Sequence, residues 1–133
     1  MCIRDSFIIK EPNTKTHVSW HQDLTYWGFD NNENQVSAWL ALSKANDQSG
    51  CMQMIPGSHK NGFIEHHSTE DKNNVLSRGQ TVKDIDINNA VSCPLEPGEV
   101  SFHHGLTLHA SQPNSSNDRR IGLNFQFIFV FLF

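Results

Sequence analysis

The sequence has few cysteines, no long apolar run and no excess of basic residues, and each of these absences argues against a class of protein. Its three cysteines, Cys2, Cys51 and Cys93, are an odd number and form no Cys-x-x-Cys pair. This pattern argues against a disulfide scaffold and fits a reducing cytoplasm. No stretch approaches the roughly 20 apolar residues that a membrane-spanning helix needs. The net charge of −4, without a basic stripe, argues against nucleic-acid binding.

The length and the two ends of the chain bound its domain organisation. At 133 residues it holds at most one domain. Residues 1–6 (MCIRDS) have neither the basic start and apolar run of a signal peptide nor a strand pattern. We interpret them as a non-native leader and assign residues 7–133 to the domain. The apolar tail over residues 125–133 ends without a turn or cap, so we expect a gene fragment.

Short alternating segments separated by turn residues make up most of the chain. They are rich in β-branched and aromatic residues, and they cover residues 16–20, 35–43, 51–55, 90–95, 99–103, 107–110 and 119–128. In the second of them, Leu40 and Leu42 fall on one face and Trp39 on the other. Many short strands with turns such as Pro97-Gly98 between them predict an all-β barrel or sandwich of jelly-roll type.

Residues 58–87 are the least regular part of the sequence. They are polar and charged, and only residues 71–77 have a weak helical pattern. A long irregular insert between strands is often a lid or a binding loop. A solvated surface loop without a role is an equally good interpretation of this composition.

The segment Trp20-His21-Gln22-Asp23 is a candidate metal site. Side chains on a strand repeat every two residues, so His21 and Asp23 are expected on the same side. A distant histidine beside them would complete two imidazoles and one carboxylate, the facial triad that holds non-haem Fe(II). His103, His104 and His109 are candidates for that histidine. Taken alone, the His-x-Asp pattern also fits ordinary strand and turn residues.

The residues after His109 favour it over His103 and His104, because their spacing resembles that of a known family. Ser111, Asn114 and Arg120 follow His109 at two, five and eleven residues. With the His-x-Asp segment upstream, these spacings resemble the phytanoyl-CoA dioxygenase family of Fe(II)/2-oxoglutarate oxygenases. The resemblance implies a double-stranded β-helix (jelly roll, cupin-like) that is incomplete at its N-terminus, because family members have further helices and strands before the His-x-Asp segment.

The resemblance also implies which residues bind the metal and the cosubstrate. Fe(II) would bind to His21, Asp23 and His109, because only His109-Ala110-Ser111 matches the family's pattern of a ligand before a small residue and a serine. The far carboxylate of 2-oxoglutarate would bind to Arg120 and Ser111. A guanidinium suits a carboxylate better than an ammonium does.

Other residues have more than one interpretation. Trp39 matches a position in the family's cosubstrate pocket, although an indole there is also ordinary core packing. Arg119 should point away from Arg120 on a strand, and the alternative is a surface arginine pair near an acidic loop. Asn114 is expected to hold its loop together through side-chain to backbone hydrogen bonds. His59 is interpreted as part of a turn.

The predicted function is that of a dioxygenase that uses Fe(II), 2-oxoglutarate and O₂ to hydroxylate a small organic substrate, releasing succinate and CO₂. Asp23 favours hydroxylation, because related halogenases have a small residue at this position. Residues 24–29 (LTYWGF) would line the substrate entrance or pack in the core. The alternatives are a non-catalytic cupin-like module, metal-binding or structural, and an isomerase or hydrolase on the same fold.

Overall fold

The computed structural model of the protein describes residues 2–26, 35–76 and 80–128, and these residues form an all-β fold as predicted. None of the helices over these ranges is long and apolar enough to span a membrane. Two short 3-10 helices cover Asp23–Tyr26 and Ser58–Asn61. The strands are β1 (Cys2–Lys10), β2 (Val18–His21), β3 (Gln35–Ala41), β4 (Met52–Met54), β5 (His67–Ser68), β6 (Gln80–Thr81), β7 (Val91–Cys93), β8 (Val100–His104), β9 (His109–Ser111) and β10 (Arg120–Ile128).

Two antiparallel four-stranded sheets carry the residues of interest. The larger has the strand order β1-β10-β3-β8, and the smaller has the order β2-β9-β4-β7. Residues of both sheets line one cavity of about 580 Å³. Because neighbouring strands come from distant parts of the sequence, the fold brings the two ends of the chain to the same cavity.

The more deeply buried face of β3 is more polar than the opposite face. Gln35, Ser37, Trp39 and Ala41 are between 0% and 4% exposed, whereas Leu42 just after the strand is 45% exposed. The predicted placement of Trp39 and Leu42 on opposite faces is therefore confirmed. This face borders the cavity at Trp39, and Trp39 and Ala41 also belong to an apolar core cluster.

The first strand differs from the prediction. Residues 1–6 were expected to contribute no strand, but Cys2–Lys10 pairs antiparallel with β10, from Cys2 opposite Ile128 to Lys10 opposite Arg120. The physical reason is that β10 offers a row of backbone N–H and C=O groups, and pairing with them requires no side-chain pattern. The interpretation of these residues as a non-native leader stays a prediction.

The irregular insert lies along β2 instead of standing apart from the sheets. The Val75 N–H donates to the His17 carbonyl, and the Val82 N–H donates to the Trp20 carbonyl over 2.8 Å. The weak helical pattern was misleading, because Asn74 forms an isolated bridge with His17 and residues 71–76 contain no helix. The insert therefore supports the strand that ends at His21.

Candidate metal and cosubstrate site

His21, Asp23 and His109 come together at one end of the smaller sheet. His21 ends β2 and His109 begins β9, and the two residues are directly opposite each other in the antiparallel pair. Their ring centroids are 4.1 Å apart. One potential ligand atom from each of the three residues lies within 4.8 Å of the others. The structure thus groups the three residues that the sequence pattern suggested as a triad.

Asp23 reaches this cluster in a different way from the one predicted. It was expected to share a face with His21 on an extended strand, but β2 ends at His21 and Asp23 begins a 3-10 helix. The Leu24 N–H donates to the carbonyl of Gly105 over 3.1 Å, which holds this turn against the loop before β9. A tight turn therefore positions the carboxylate, and strand periodicity does not.

The two histidines present the same nitrogen to the carboxylate. Nε2 of His21 is 3.4 Å from Oδ1 of Asp23, and Nε2 of His109 is 3.6 Å from the same oxygen. Each Nδ1 lies near a backbone carbonyl two residues earlier, at 2.8 Å for His21 and 2.9 Å for His109. A proton on Nδ1 satisfies that carbonyl and leaves the Nε2 lone pair available for a metal.

The second oxygen of Asp23 is held by two other side chains. The Ser37 hydroxyl donates to Oδ2, and Nε2 of His103 lies 3.3 Å from it. Burial alone would raise the pKa of Asp23, but His109, His103 and His21 outweigh it and hold this pKa well below its usual value. Asp23 is therefore an ionised carboxylate at neutral pH.

The protonation state of His109 also suits metal binding. Burial and the nearby His21 lower the pKa of His109 to about 3, against the opposing attraction of Asp23. The imidazole is therefore neutral at physiological pH. Two imidazole nitrogens and one carboxylate oxygen, all less than a tenth exposed, form a donor set that fits Fe(II) and leaves further coordination positions open.

The other candidate histidines lie outside this group. His103 contacts Oδ2 of Asp23 instead of Oδ1, and its ring centroid lies 4.6 Å from that of His109. His104 accepts a hydrogen bond from the Leu106 N–H at 3.1 Å, and its ring lies 5.5 Å from that of His59. The role of His103 as a support for Asp23 was missed, because nothing in the sequence brings residues 23 and 103 together.

Arg120 is buried in the same cavity and has no acidic partner in the part of the chain that the structure describes. It begins β10 and is 2% exposed, and its Nε has no hydrogen-bond partner among the described residues. Its guanidinium carbon lies 5.1 Å from the ring centre of Trp39, which is a cation–π contact. Burial lowers the pKa of Arg120 to about 10, so the group remains charged at neutral pH in the lining of the cavity.

Arg119, by contrast, pairs with Glu11 at the surface. The Arg119 Nε donates to the Glu11 carboxylate over 3.0 Å, and both side chains are more than half exposed. The prediction that the two arginines point in different directions is confirmed. Only Arg120 of the pair is therefore available to a ligand in the cavity.

Lys10 is a buried cation that the sequence did not predict. It is 0% exposed, lies opposite Arg120 in the β1–β10 pair, and donates from Nζ to the Ser111 hydroxyl over 2.7 Å and to the Gln112 carbonyl. Residues 7–9 are apolar, and a lysine that ends such a run is ordinarily a surface residue. No local signal distinguishes this one, because its burial depends on strands more than a hundred residues away.

Two further predictions concern loops around the site. Asn114 is fully buried, donates from Nδ2 to the carbonyls of Lys10 and Asp118, and accepts from the Ser116 N–H, so its predicted loop-holding role is confirmed.

Tyr26 lines the cavity with its ring 5.9 Å from that of His21. The rest of the aromatic run, residues 27–29, lies outside the described residues.

Gly122 makes room for the indole that covers Arg120. A Cβ added at Gly122 would lie 1.9 Å from Cζ2 of Trp39 and 2.3 Å from Cε2, so Gly122→Ala must displace a buried ring. We expect this substitution to lower the free energy of unfolding by about 1–3 kcal/mol, the usual effect of overpacking. Denaturant unfolding measures the change. In a Trp39→Leu chain, adding Gly122→Ala should lower the free energy of unfolding by less than it does in the unmodified chain. A Gly122→Ala chain as stable as the unmodified one would contradict the packing described.

Comparison with known proteins supports the resemblance to the phytanoyl-CoA dioxygenase family. The sequence profile of the phytanoyl-CoA dioxygenase (PhyH) family matches residues 1–122. The peroxisomal phytanoyl-CoA dioxygenase of Bos taurus is 30% identical over 131 residues, which cover 96% of this chain and 39% of that protein. A probable alpha-ketoglutarate-dependent hypophosphite dioxygenase of Stutzerimonas stutzeri is 30% identical over 120 residues, which cover 89% of this chain and 42% of that protein.

A solved structure agrees with the fold. EvdO2 from Micromonospora carbonacea var. aurantiaca, complexed with 2-oxoglutarate, superposes with a TM-score of 0.83 and 30% identity, over 96% of this chain and 51% of that one. The predicted jelly-roll, cupin-like fold is thereby confirmed. The chain spans about half the length, or less, of the relatives named here.

Proposed function

Because this chain belongs to the phytanoyl-CoA dioxygenase family, we propose that it acts as an Fe(II)- and 2-oxoglutarate-dependent dioxygenase that hydroxylates a small organic substrate. One observation carries the proposal. A buried cluster of two imidazoles and a carboxylate shares a cavity with a buried arginine that has no acidic partner among the described residues. The first is a donor set for Fe(II), and the second is an anchor for a carboxylate.

Each group has a defined part in this proposal. His21, Asp23 and His109 would hold the metal, and Arg120 with Ser111 would hold the far carboxylate of 2-oxoglutarate. When bound, Fe(II) with O₂ and 2-oxoglutarate supplies the oxidising chemistry, which releases succinate and CO₂ and puts a hydroxyl group on the substrate. The protein's own contribution is to orient both organic molecules and to keep bulk water from the buried cluster.

The environment of Asp23 favours hydroxylation over halogenation. A halogenating enzyme of this type needs a vacant metal position where the carboxylate otherwise binds. Here the carboxylate is present, ionised, and held through its second oxygen by Ser37 and His103. These contacts keep Asp23 at the cluster, so we assign the position to a ligand.

The cavity and the surface chemistry support a small-molecule substrate. The volume of about 580 Å³ falls in the range of about 300–1,000 Å³ that is usual for small-molecule sites. The net charge of −4 gives no reason to expect nucleic acid or an anionic membrane as a partner. Cys51 and Cys93 are free thiols, which fits our proposal that the protein works in the cytoplasm.

The test of this proposal is the requirement for both cofactors. Purified chain is incubated with a panel of candidate small molecules in air, and succinate is measured. We expect succinate only when Fe(II) and 2-oxoglutarate are both supplied. Tight metal binding without succinate under any condition would instead favour the alternative, a non-catalytic metal-binding module.

A further inference from the structure

Lys10 and Arg120 are two buried cations on adjacent strands with no acidic side chain paired to either among the described residues. They are 0% and 2% exposed and lie opposite each other in the β1–β10 pair. Burying two like charges side by side is unfavourable unless a counter-charge is supplied. The arrangement therefore favours a bound anion beside them, and the cavity that Arg120 lines is where one can enter.

Lys10 acts on that cavity through Ser111. Its Nζ donates to the Ser111 hydroxyl over 2.7 Å and to the carbonyl of Gln112, and Ser111 itself lines the cavity. An ammonium has only donors, so the Ser111 oxygen is the acceptor in this bond. The hydroxyl hydrogen is then left to donate to another group. Lys10 thus fixes the polarity of a hydroxyl that lines the same cavity as Arg120.

We propose that Lys10 is a positioning residue for the far carboxylate of the cosubstrate, which orients the Ser111 hydroxyl as a donor and adds a second positive charge behind Arg120. This inference rests on the proposed function, because it takes 2-oxoglutarate as the ligand. It adds a residue that no part of the family resemblance pointed to. It also implies that the chain discriminates strongly against 2-oxo acids that lack a second carboxylate.

The electrostatics of Lys10 give the proposal a pH dependence. Burial, and then the charge of Arg120, lower the pKa of Lys10 to about 7, with a small opposing effect of Cys51. Burial raises the pKa of the Cys51 thiol to about 11, and that of Arg120 is about 10. Of these three groups, only Lys10 changes charge near neutral pH. A bound carboxylate favours protonated Lys10, so affinity should fall as pH rises above about 7.

The experiment compares two ligands on the Co(II)-loaded chain by isothermal titration calorimetry. The ligands are 2-oxoglutarate and 2-oxopentanoate, in which a methyl group replaces the far carboxylate. We expect Lys10→Met to weaken 2-oxoglutarate binding by about tenfold or more and to leave 2-oxopentanoate binding unchanged. Lys15→Met is the matched control, because it removes the same charge from an exposed position and should alter neither affinity.

The outcomes separate this inference from the proposed function. If Lys10→Met binds both ligands more weakly by the same factor, or binds both as tightly as the unmodified chain does, the role of Lys10 is overturned. The proposed metal site and cosubstrate are unaffected by either result. Failure of the unmodified Co(II)-loaded chain to bind 2-oxoglutarate overturns both. If Lys10→Met does not fold, the pH profile of the unmodified chain decides. The inference predicts that 2-oxoglutarate affinity falls above neutral pH relative to 2-oxopentanoate affinity, and a constant ratio overturns it.

Discussion

Replacing Asp23 with alanine is expected to weaken metal binding by more than about 100-fold, because removing only a group that supports a ligand typically costs 10–100-fold. Asp23 is the carboxylate of the cluster, and its Oδ1 faces the Nε2 atoms of both His21 and His109. Without it, only the imidazoles of His21 and His109 are left of the three proposed ligands. Co(II) affinity, followed by visible absorption and by competition with a chelator, measures the loss.

Ser37→Ala provides a graded comparison for Asp23→Ala. It removes one hydrogen bond to Oδ2 of Asp23 and leaves all three proposed ligands in place. We expect Ser37→Ala to bind Co(II) about tenfold more weakly than the unmodified chain. Its affinity would then lie between those of the unmodified chain and Asp23→Ala. Circular dichroism establishes that both variants are folded. An Asp23→Ala chain that binds Co(II) as tightly as the unmodified protein would contradict the assignment of the metal site.

Replacing Arg120 with methionine is expected to weaken 2-oxoglutarate binding by about 100-fold or more, since two charge-assisted hydrogen bonds contribute about 1.5–3 kcal/mol each. Methionine retains an apolar side chain to pack against Trp39. Arg120 has no described ion pair to lose, so the fold should tolerate the change. Titration of 2-oxoglutarate into the Co(II)-loaded chain measures the affinity.

Arg119→Met is the matched control for Arg120→Met. It removes the same charge from the neighbouring position, where the side chain pairs with Glu11 at the surface. We expect unchanged affinity for 2-oxoglutarate and for Co(II). Metal binding by Arg120→Met should also match the unmodified chain. If Arg120→Met bound 2-oxoglutarate normally, or lost metal and cosubstrate together, the cosubstrate anchor would have to be sought elsewhere.

The parts of the site that the sequence predicted are those with a local pattern. His21-Gln22-Asp23 lies within a few residues, and the spacing from His109 to Ser111 and Arg120 lies within one loop and its flanking strands. Such short spacings can be read from the sequence without knowing how distant strands pair. The same holds for the all-β fold, which follows from short alternating segments separated by turns.

The parts that the sequence could not predict depend on strand register. Lys10 contacts Ser111, and Ser37 and His103 contact Asp23, only because distant strands pair as they do. A single sequence gives no register between strands so far apart. The sequence also did not show that Gln35 and Ser37 would be buried on the same face of β3 as Trp39, whereas Leu42 is 45% exposed.

Local geometry explains the remaining differences. Strand periodicity placed Asp23 beside His21 for the wrong reason, because a 3-10 turn brings the carboxylate to the same place. Residues Cys2–Ser6 are part of β1 although their sequence has no strand pattern, because they pair with the backbone of β10. In both cases the tertiary context decided the conformation, as it often does where the local preference is weak.

The proposed metal and cosubstrate site is tested most directly by an anaerobic titration of Fe(II) and 2-oxoglutarate into the purified chain, followed by visible absorption. We expect a charge-transfer band that appears only when both are present and that is lost in His109→Ala. Circular dichroism on the same samples establishes that each chain is folded. A folded, unmodified chain that gives no band with both components present would contradict the proposed metal and cosubstrate site.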